Sequence, residues 1–433
     1  MSRCETVIHV LPSLCAGGGG GGGAEAAVAM VTLSYLMEDE SRDDSSPLLL
    51  EAPARDTRGG HTWTRSSSAG DPGNMRWFRW LARNNLRLSL VVLLGCYAAI
   101  LIPAYSHADR LAPIDDGQPA PPDLALLNLS ADLLSGPCLP QWGRDRLGTL
   151  SCSGGLLGLA PVFVEGPQEE VEGGGERRAP WELPPPLGLR GSERQAARAL
   201  ASLPRPGPPP WLQGGGCRRC VVVGSGGVLH GSHLGSSIDQ YDVIIRLNAA
   251  PVGGFQRDAG SRTTIRLVYP EAAPASPEEY RTTSVVALVV FKSLDLDWLT
   301  SVITKRPLSF WSKLWFWRKV VEEIPLTAEH FRILNPEIIH QTGRALHSYA
   351  PSGGTRGPTL GASAVVLALQ LCDQVSLAGF GYDLRHPGAR LHYYEALRMD
   401  AMKGQVVHDI GSEKLFLRDL VSSGAVTDLT GAL

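Results

Sequence analysis

The chain has 433 residues, 43% of them hydrophobic, which is ample apolar sequence for one large domain or two small ones. Its formal net charge is −3, with 40 basic residues against 43 acidic ones. There is no overall basic character, and a nucleic-acid partner gains no support.

Residues 1–75 hold a run of glycines at 17–23 and a polar, charge-mixed stretch from 38 to 73. Neither buries enough apolar surface to offset chain entropy, so this segment reads as a disordered tail. Residues 88–105, LSLVVLLGCYAAILIPAY, carry no charge and follow Arg76, Arg79, Arg83 and Arg87. That pattern predicts one transmembrane signal anchor with its amino end in the cytoplasm. A cleaved signal peptide or a buried core helix is the competing reading.

The orientation puts everything after residue 105 in an oxidising lumen, where cysteines pair. Cys138, Cys152, Cys217, Cys220 and Cys372 lie there, an odd number, so at least one stays free or joins another chain. Asn128-Leu-Ser130 is a glycosylation sequon on the same side. Residues 106–190 are rich in Pro and Gly and read as a stem, with a short helix possible over 124–134. The remainder, 191–433, is expected to be the catalytic domain.

From Cys217 onward strands and helices alternate. Strands are predicted at 221–223, 241–247, 263–268, 284–291 and 374–379, and helices at 310–324 and 361–371. This is the pattern of an α/β sheet covered on both faces, with ligands at the carboxyl ends of the strands. The first strand runs into Gly224-Ser-Gly-Gly227, a turn in which backbone N–H groups approach a phosphate without a Cβ clash. Leu229 stands where a dinucleotide fingerprint needs glycine, and Arg246 and Asn248 stand where it needs an acid. A nucleoside monophosphate therefore fits better than NAD or FAD. Later, His392-Tyr-Tyr-Glu395 and His408-Asp-Ile-Gly-Ser-Glu413 each set an imidazole near a carboxylate, the groups that move protons near neutral pH. Glu413 is a candidate to hold the His408 ring or an ordinary surface carboxylate.

The stretch beginning CRRCVVVGSGG resembles the large motif of the animal sialyltransferases, and PTLGASAVVLALQLCDQVSLAGFG their small motif. HYYE and His408…Glu413 resemble the third and very small motifs, and the intervening segments are most similar to those of members acting on lactosylceramide. The resemblance implies a Rossmann-like nucleotide-binding sheet flanked by helices, a GT-A-like variant, behind a single transmembrane helix and a stem. It implies a Golgi membrane enzyme that transfers sialic acid from CMP-sialic acid, with inversion, to the 3-hydroxyl of a terminal galactose. A galactose-terminated glycolipid, lactosylceramide, is the expected acceptor, with galactose-terminated N-glycans the alternative. A homodimer is an open possibility.

Residue by residue, the resemblance makes His408 the base and His392 the group that stabilises the departing CMP phosphate. It assigns donor binding to Ser225, Gly226, Asn248, Tyr269, Thr359, Gly361 and Gly381, and pairs Cys220 with Cys372. Cys217 is then left to Cys138 or Cys152. No metal is expected. The rival is Asp295-Leu-Asp297, the DxD form with which metal-dependent glycosyltransferases hold a sugar diphosphate. Finally, residues 308–319, LSFWSKLWFWRK, set aromatics around more than half of a predicted helix beside Lys and Arg. That composition suits a lipid interface, while an aromatic-rich core helix is the plainer reading.

Overall fold

The computed structural model describes residues 123–148, 156, 161–166, 180–349, 357–404 and 408–433, all within one compact unit, Leu111–Leu433. The predicted tail and the transmembrane segment at 88–105 lie outside the described residues.

Seven strands form one sheet: β1 (Arg219–Val223), β2 (Val243–Leu247), β3 (Thr263–Val268), β4 (Thr283–Leu288), β5 (Phe331–Ile333), β6 (Gln374–Ala378) and β7 (Val426–Asp428). Their order is β5-β4-β3-β2-β1-β6-β7, and every pairing is parallel. The strands are short runs of Val, Ile, Leu and Thr, the composition of a parallel sheet buried on both faces. Alternation then sorts side chains between the two layers. Cys220 and Val222 pack into one core cluster, and Val221 and Val223 into another.

Six longer helices, among the described residues, cover the faces: α1 (Leu124–Ser135), α2 (Glu193–Ala201), α3 (Ser293–Thr304), α4 (Glu337–His347), α5 (Leu360–Leu371) and α6 (Ile410–Ser422). Helix α5, LGASAVVLALQL, is apolar on nearly all sides and is buried accordingly, in the same cluster as Cys220 and Val222. On the other face, residues of α1 pack with Val221 and Val223. Under β3–β5, Ala196, Ala199, Trp298 and Val302 from α2 and α3 form a third cluster.

Several residues from the segment expected to be a stem belong to this folded body. Helix α1 realises the short helix anticipated at 124–134, and Leu147, Phe163, Val164 and Leu189 are buried. Phe163 also bridges to Leu334 beyond β5. The fold therefore begins before residue 191. Strands β5 and β7, three residues each, escaped the pattern reading because so short a run has no resolvable period.

The helix predicted over 310–324 is corrected to a single turn, Phe310–Lys313. Ser309 caps that turn by accepting from the Ser312 N–H at 3.0 Å. Beyond it, the carbonyls of Val321 and Ile324 accept from Trp298 Nε1 and Lys305 Nζ, both at 2.7 Å, instead of helical N–H groups. Pro325 biases Ile324 away from helical geometry, and the tertiary partners complete the override.

Candidate active site

Strand order reverses between β1 and β6, and the crevice outside their carboxyl ends is the expected ligand position in such a sheet. Gly224–Gly227 leaves β1 there and Gly379–Gly381 leaves β6, so two of the predicted motifs meet. The contact is backbone on backbone. The N–H groups of Gly224 and Gly226 donate to Ala378 O at 2.8 Å and Gly379 O at 2.9 Å. A Cβ on Gly226 would lie 2.6 Å from Gly379 O, and one on Gly381, whose φ is +95°, 2.5 Å from Ala432 O.

This changes what the glycine turn does. The Gly227 N–H donates to Leu391 O at 2.9 Å and Tyr393 N–H to Ser225 O at 3.0 Å, with a bridge between Gly226 and His392. Three of the turn's N–H groups are thus committed to protein carbonyls. The expectation that they cradle a phosphate is corrected: Gly224 and Gly226 tie the turn to the end of β6, while Gly227 N–H and the Ser225 carbonyl hold Leu391 and Tyr393 against the end of β1.

His392 is thereby held at the crevice. Its ring stacks on Tyr394 with centroids 5.3 Å apart and planes 6° from parallel, and Nδ1 meets Glu395 Oε1. The Tyr394 hydroxyl bonds to Ser225, whose side chain is therefore at the site. Tyr382 packs edge-on to His392 at 6.4 Å, and its carbonyl accepts from Lys414 Nζ on α6 at 3.0 Å. Burial, then the nearby Tyr394, Glu413 and Glu395, push the Tyr382 phenol up to about 12, so it stays protonated.

His408 stands just before α6, and its Nδ1 lies 2.8 Å from Gly357 O. Asp409 caps α6 by accepting from Ser412 N–H at 3.0 Å. Glu413 does not hold His408. It is 7% exposed and takes both the N–H and the hydroxyl of Thr359, the latter at 2.6 Å. Burial raises its carboxyl to about 7, against the lowering effect of the two Thr359 bonds. Thr359 in turn caps α5, accepting from Ala362 N–H at 3.1 Å. The N-terminus of α5, with Gly361 in its first turn, therefore carries the positive end of a buried helix dipole at the site's edge.

Asn248 follows β2 in left-handed geometry, φ 51°, and its buried Oδ1 has no hydrogen-bond partner among the described residues. An orphaned acceptor at a strand's carboxyl end fits a ligand donor such as a nucleotide amino or hydroxyl group. The loop that carries it is clamped by a buried pair. Arg266 reaches Asn248 O and Ala250 O at 2.9 and 3.0 Å and Glu279 at 2.9 Å, while Glu279 accepts from Val252 and Gly253 N–H. Tyr269 lies at the end of β3, edge-on to Phe291 at 5.2 Å, its phenol raised chiefly by burial.

The basic end of β2 and the rival DxD pair both turn to structural partners. Arg246 is 1% exposed and gives its guanidinium to Ala259 O, Arg262 O and Thr263 Oγ1, so it is no phosphate ligand; burial lowers it to about 10. Asp295 and Asp297 do not act together. Asp295 is buried and accepts from Phe291 and Lys292 N–H at 2.8 and 3.1 Å, while Asp297 pairs with Arg198 at 2.7 Å. Among the described residues no cluster of three or more His, Cys, Asp or Glu could hold a metal ion.

Sequence reasoning missed Tyr382 and the Arg266–Glu279 clamp. Tyr382 had a signal, since it directly follows the glycine that closes the small motif. The clamp had none, because a charged residue inside an apolar strand does not reveal its partner.

The cysteines lie at the other end of β1. Cys220 joins Cys372, the residue that ends α5, and Cys217 joins Cys138. Cys152 lies outside the described residues. Asn128 is exposed on α1, and Ser130 of its sequon is buried.

Comparison with known proteins gives these features a context. Residues 174–425 match glycosyltransferase family 29 (sialyltransferase). Human lactosylceramide alpha-2,3-sialyltransferase is 42% identical over 307 residues, 70% of this chain and 72% of that protein. Rat CMP-N-acetylneuraminate-beta-1,4-galactoside alpha-2,3-sialyltransferase is 43% identical over 353 residues, 80% of this chain and 90% of that protein. A solved mammalian sialyltransferase aligns at 30% identity over 55% of this chain and 79% of its own, with a TM-score of 0.45. With the family matched over more than half of its length, this chain belongs to glycosyltransferase family 29, the sialyltransferases.

Proposed function

We propose that the chain transfers sialic acid from CMP-sialic acid, with inversion, to the 3-hydroxyl of a terminal galactose on lactosylceramide. The observation that carries the reading is the difference between the two imidazole environments. His408 Nδ1 faces the Gly357 carbonyl, which can only accept, so that nitrogen bears a proton and Nε2 is the atom left to carry the lone pair of the neutral ring. This is the tautomer a base needs to take a proton from a sugar hydroxyl. His392 Nδ1 instead faces a carboxylate, Glu395, which compensates the charge of an imidazolium. An imidazolium presents Nε2–H to the phosphate as the glycosidic bond breaks, and the freed CMP leaves with its charge offset.

Donor contacts are assigned to Ser225, Gly226, Asn248, Tyr269, Thr359, Gly361 and Gly381, all at strand ends or at the α5 N-terminus. The donor has one phosphate, so His392 and the helix N-terminus serve where a diphosphate donor would need a metal ion. The sequence pattern of a single anchor supports a Golgi membrane protein with its catalytic domain in the lumen and Asn128 glycosylated there.

Lactosylceramide is favoured by the similarity of the intervening segments and by the lactosylceramide enzymes of human, mouse and cattle, at 41–42% identity. The comparable match to the rat beta-1,4-galactoside enzyme supports the second reading, an N-glycan acceptor. Incubating the full chain with CMP-sialic acid and, in parallel, lactosylceramide, a galactose-terminated N-glycan and free lactose separates them. Product on lactosylceramide in the presence of EDTA is expected. No CMP release with any galactoside would overturn the enzyme assignment, and a preference for the N-glycan would overturn the acceptor.

A further inference from the structure

Residues 310–319 turn five large apolar side chains to solvent. Phe310, Trp311, Leu314, Trp315 and Trp317 are 68%, 73%, 58%, 49% and 44% exposed. The segment is not loose chain. Phe316, Val320 and Ile324 are only 7%, 6% and 1% exposed and anchor it in the core beneath β3–β5, and Trp298 and Lys305 fix its following carbonyls. The outward side chains are therefore held out by a core that is already filled.

The rim is cationic. Lys313 pairs with Glu322 at 2.7 Å, and Arg318 and Lys319 are exposed directly after Trp317, with Glu323 exposed four residues beyond Lys319. The platform also adjoins the site. Lys292 Nζ sits 4.8 Å over the Phe316 ring while holding Glu271 at 2.6 Å, and Arg318 is close enough to Tyr269 to bias its ionisation. Tyr269 and Glu271 follow β3 at the ligand edge of the sheet.

We infer that this face rests in the interfacial layer of the lipid bilayer that carries the acceptor. The inference rests on the proposed glycolipid acceptor, whose sugar must be taken up within reach of a membrane surface. Trp places an apolar body and a polar N–H where headgroups meet acyl chains, and Arg and Lys find anionic groups in the same layer. A second copy fits less well, because a two-fold contact would bring the Arg318 and Lys319 rims of both copies together.

The test uses the full chain reconstituted in phosphatidylcholine vesicles, with and without phosphatidylserine, containing brominated phosphatidylcholine and lactosylceramide. In the wild type the bromines should quench a part of the tryptophan emission that is missing from a Trp311→Ser/Trp315→Ser variant. The same variant should lose about tenfold in transfer to vesicle lactosylceramide, and stay within about twofold on soluble lactose. Lys319→Glu, which keeps every tryptophan, should reduce quenching selectively in phosphatidylserine vesicles. Equal quenching of wild type and double variant overturns the inference. So does an equal fall on both acceptors, which assigns these tryptophans to the fold, or a detergent-phase dimer that the variant loses, which assigns the face to a second copy. If no galactoside is sialylated while the quenching difference stands, the acceptor reading fails and the docking survives.

Discussion

At the scale of single residues, the site depends on what each ring nitrogen faces. His408 looks at a neutral carbonyl and His392 at a carboxylate, and the proposed roles of base and phosphate partner rest on that difference. His408→Ala should therefore reduce turnover by about 10²–10⁴-fold, as expected for loss of a general base. CMP affinity should stay within about twofold, because in the proposed role His408 acts on the acceptor hydroxyl and not on the nucleotide. Steady-state kinetics beside CMP titration reads both quantities. Turnover at the wild-type rate would remove His408 from the mechanism.

At the scale of elements, β1 is secured at one end by sulfur and leads to the ligand crevice at the other. The Cys220–Cys372 bridge ties β1 to the end of α5 across 152 residues, worth about 5 kcal/mol in the chain-entropy model. The same helix presents its N-terminus, capped by Thr359 and Glu413, to the site. Removing the bridge should loosen α5 as a unit. We expect Cys220→Ser and Cys372→Ser each to lower the yield of folded protein, and the double variant to be no worse than either single. Peptide mapping without reduction measures the bridge directly, and two free thiols in active protein would refute its role.

At the scale of the whole molecule, two buried carboxyls give stability a pH dependence. Burial raises Glu413 and Asp295 to about 7, each above its unfolded value. The folded state therefore holds protons that the unfolded state has released. Their contribution is complete below the unfolded values and is lost as pH rises through about 7. The melting temperature should be a few degrees higher at about pH 6 than at about pH 8. Glu413→Gln, which can still accept a bond from Thr359, should flatten that slope, and an unchanged slope would remove Glu413 as a source of it.

Much of this protein was legible before folding. Short runs of three to eight largely apolar residues predict buried parallel strands, because a strand covered on both faces needs no polar side. The glycines and histidines mark the site, since backbone crossings tolerate no Cβ and proton transfer near neutrality favours imidazole. Tertiary structure decided the rest. It committed the N–H groups of Gly224, Gly226 and Gly227 to the carbonyls of Ala378, Gly379 and Leu391, turned Arg246 inward, and assigned Glu413 to Thr359 instead of His408. It also reduced a fifteen-residue helical pattern to one turn, leaving its aromatics outside. Each of these outcomes depends on partners far away in sequence, and local composition and spacing carry no information about which distant carbonyl or carboxylate will arrive.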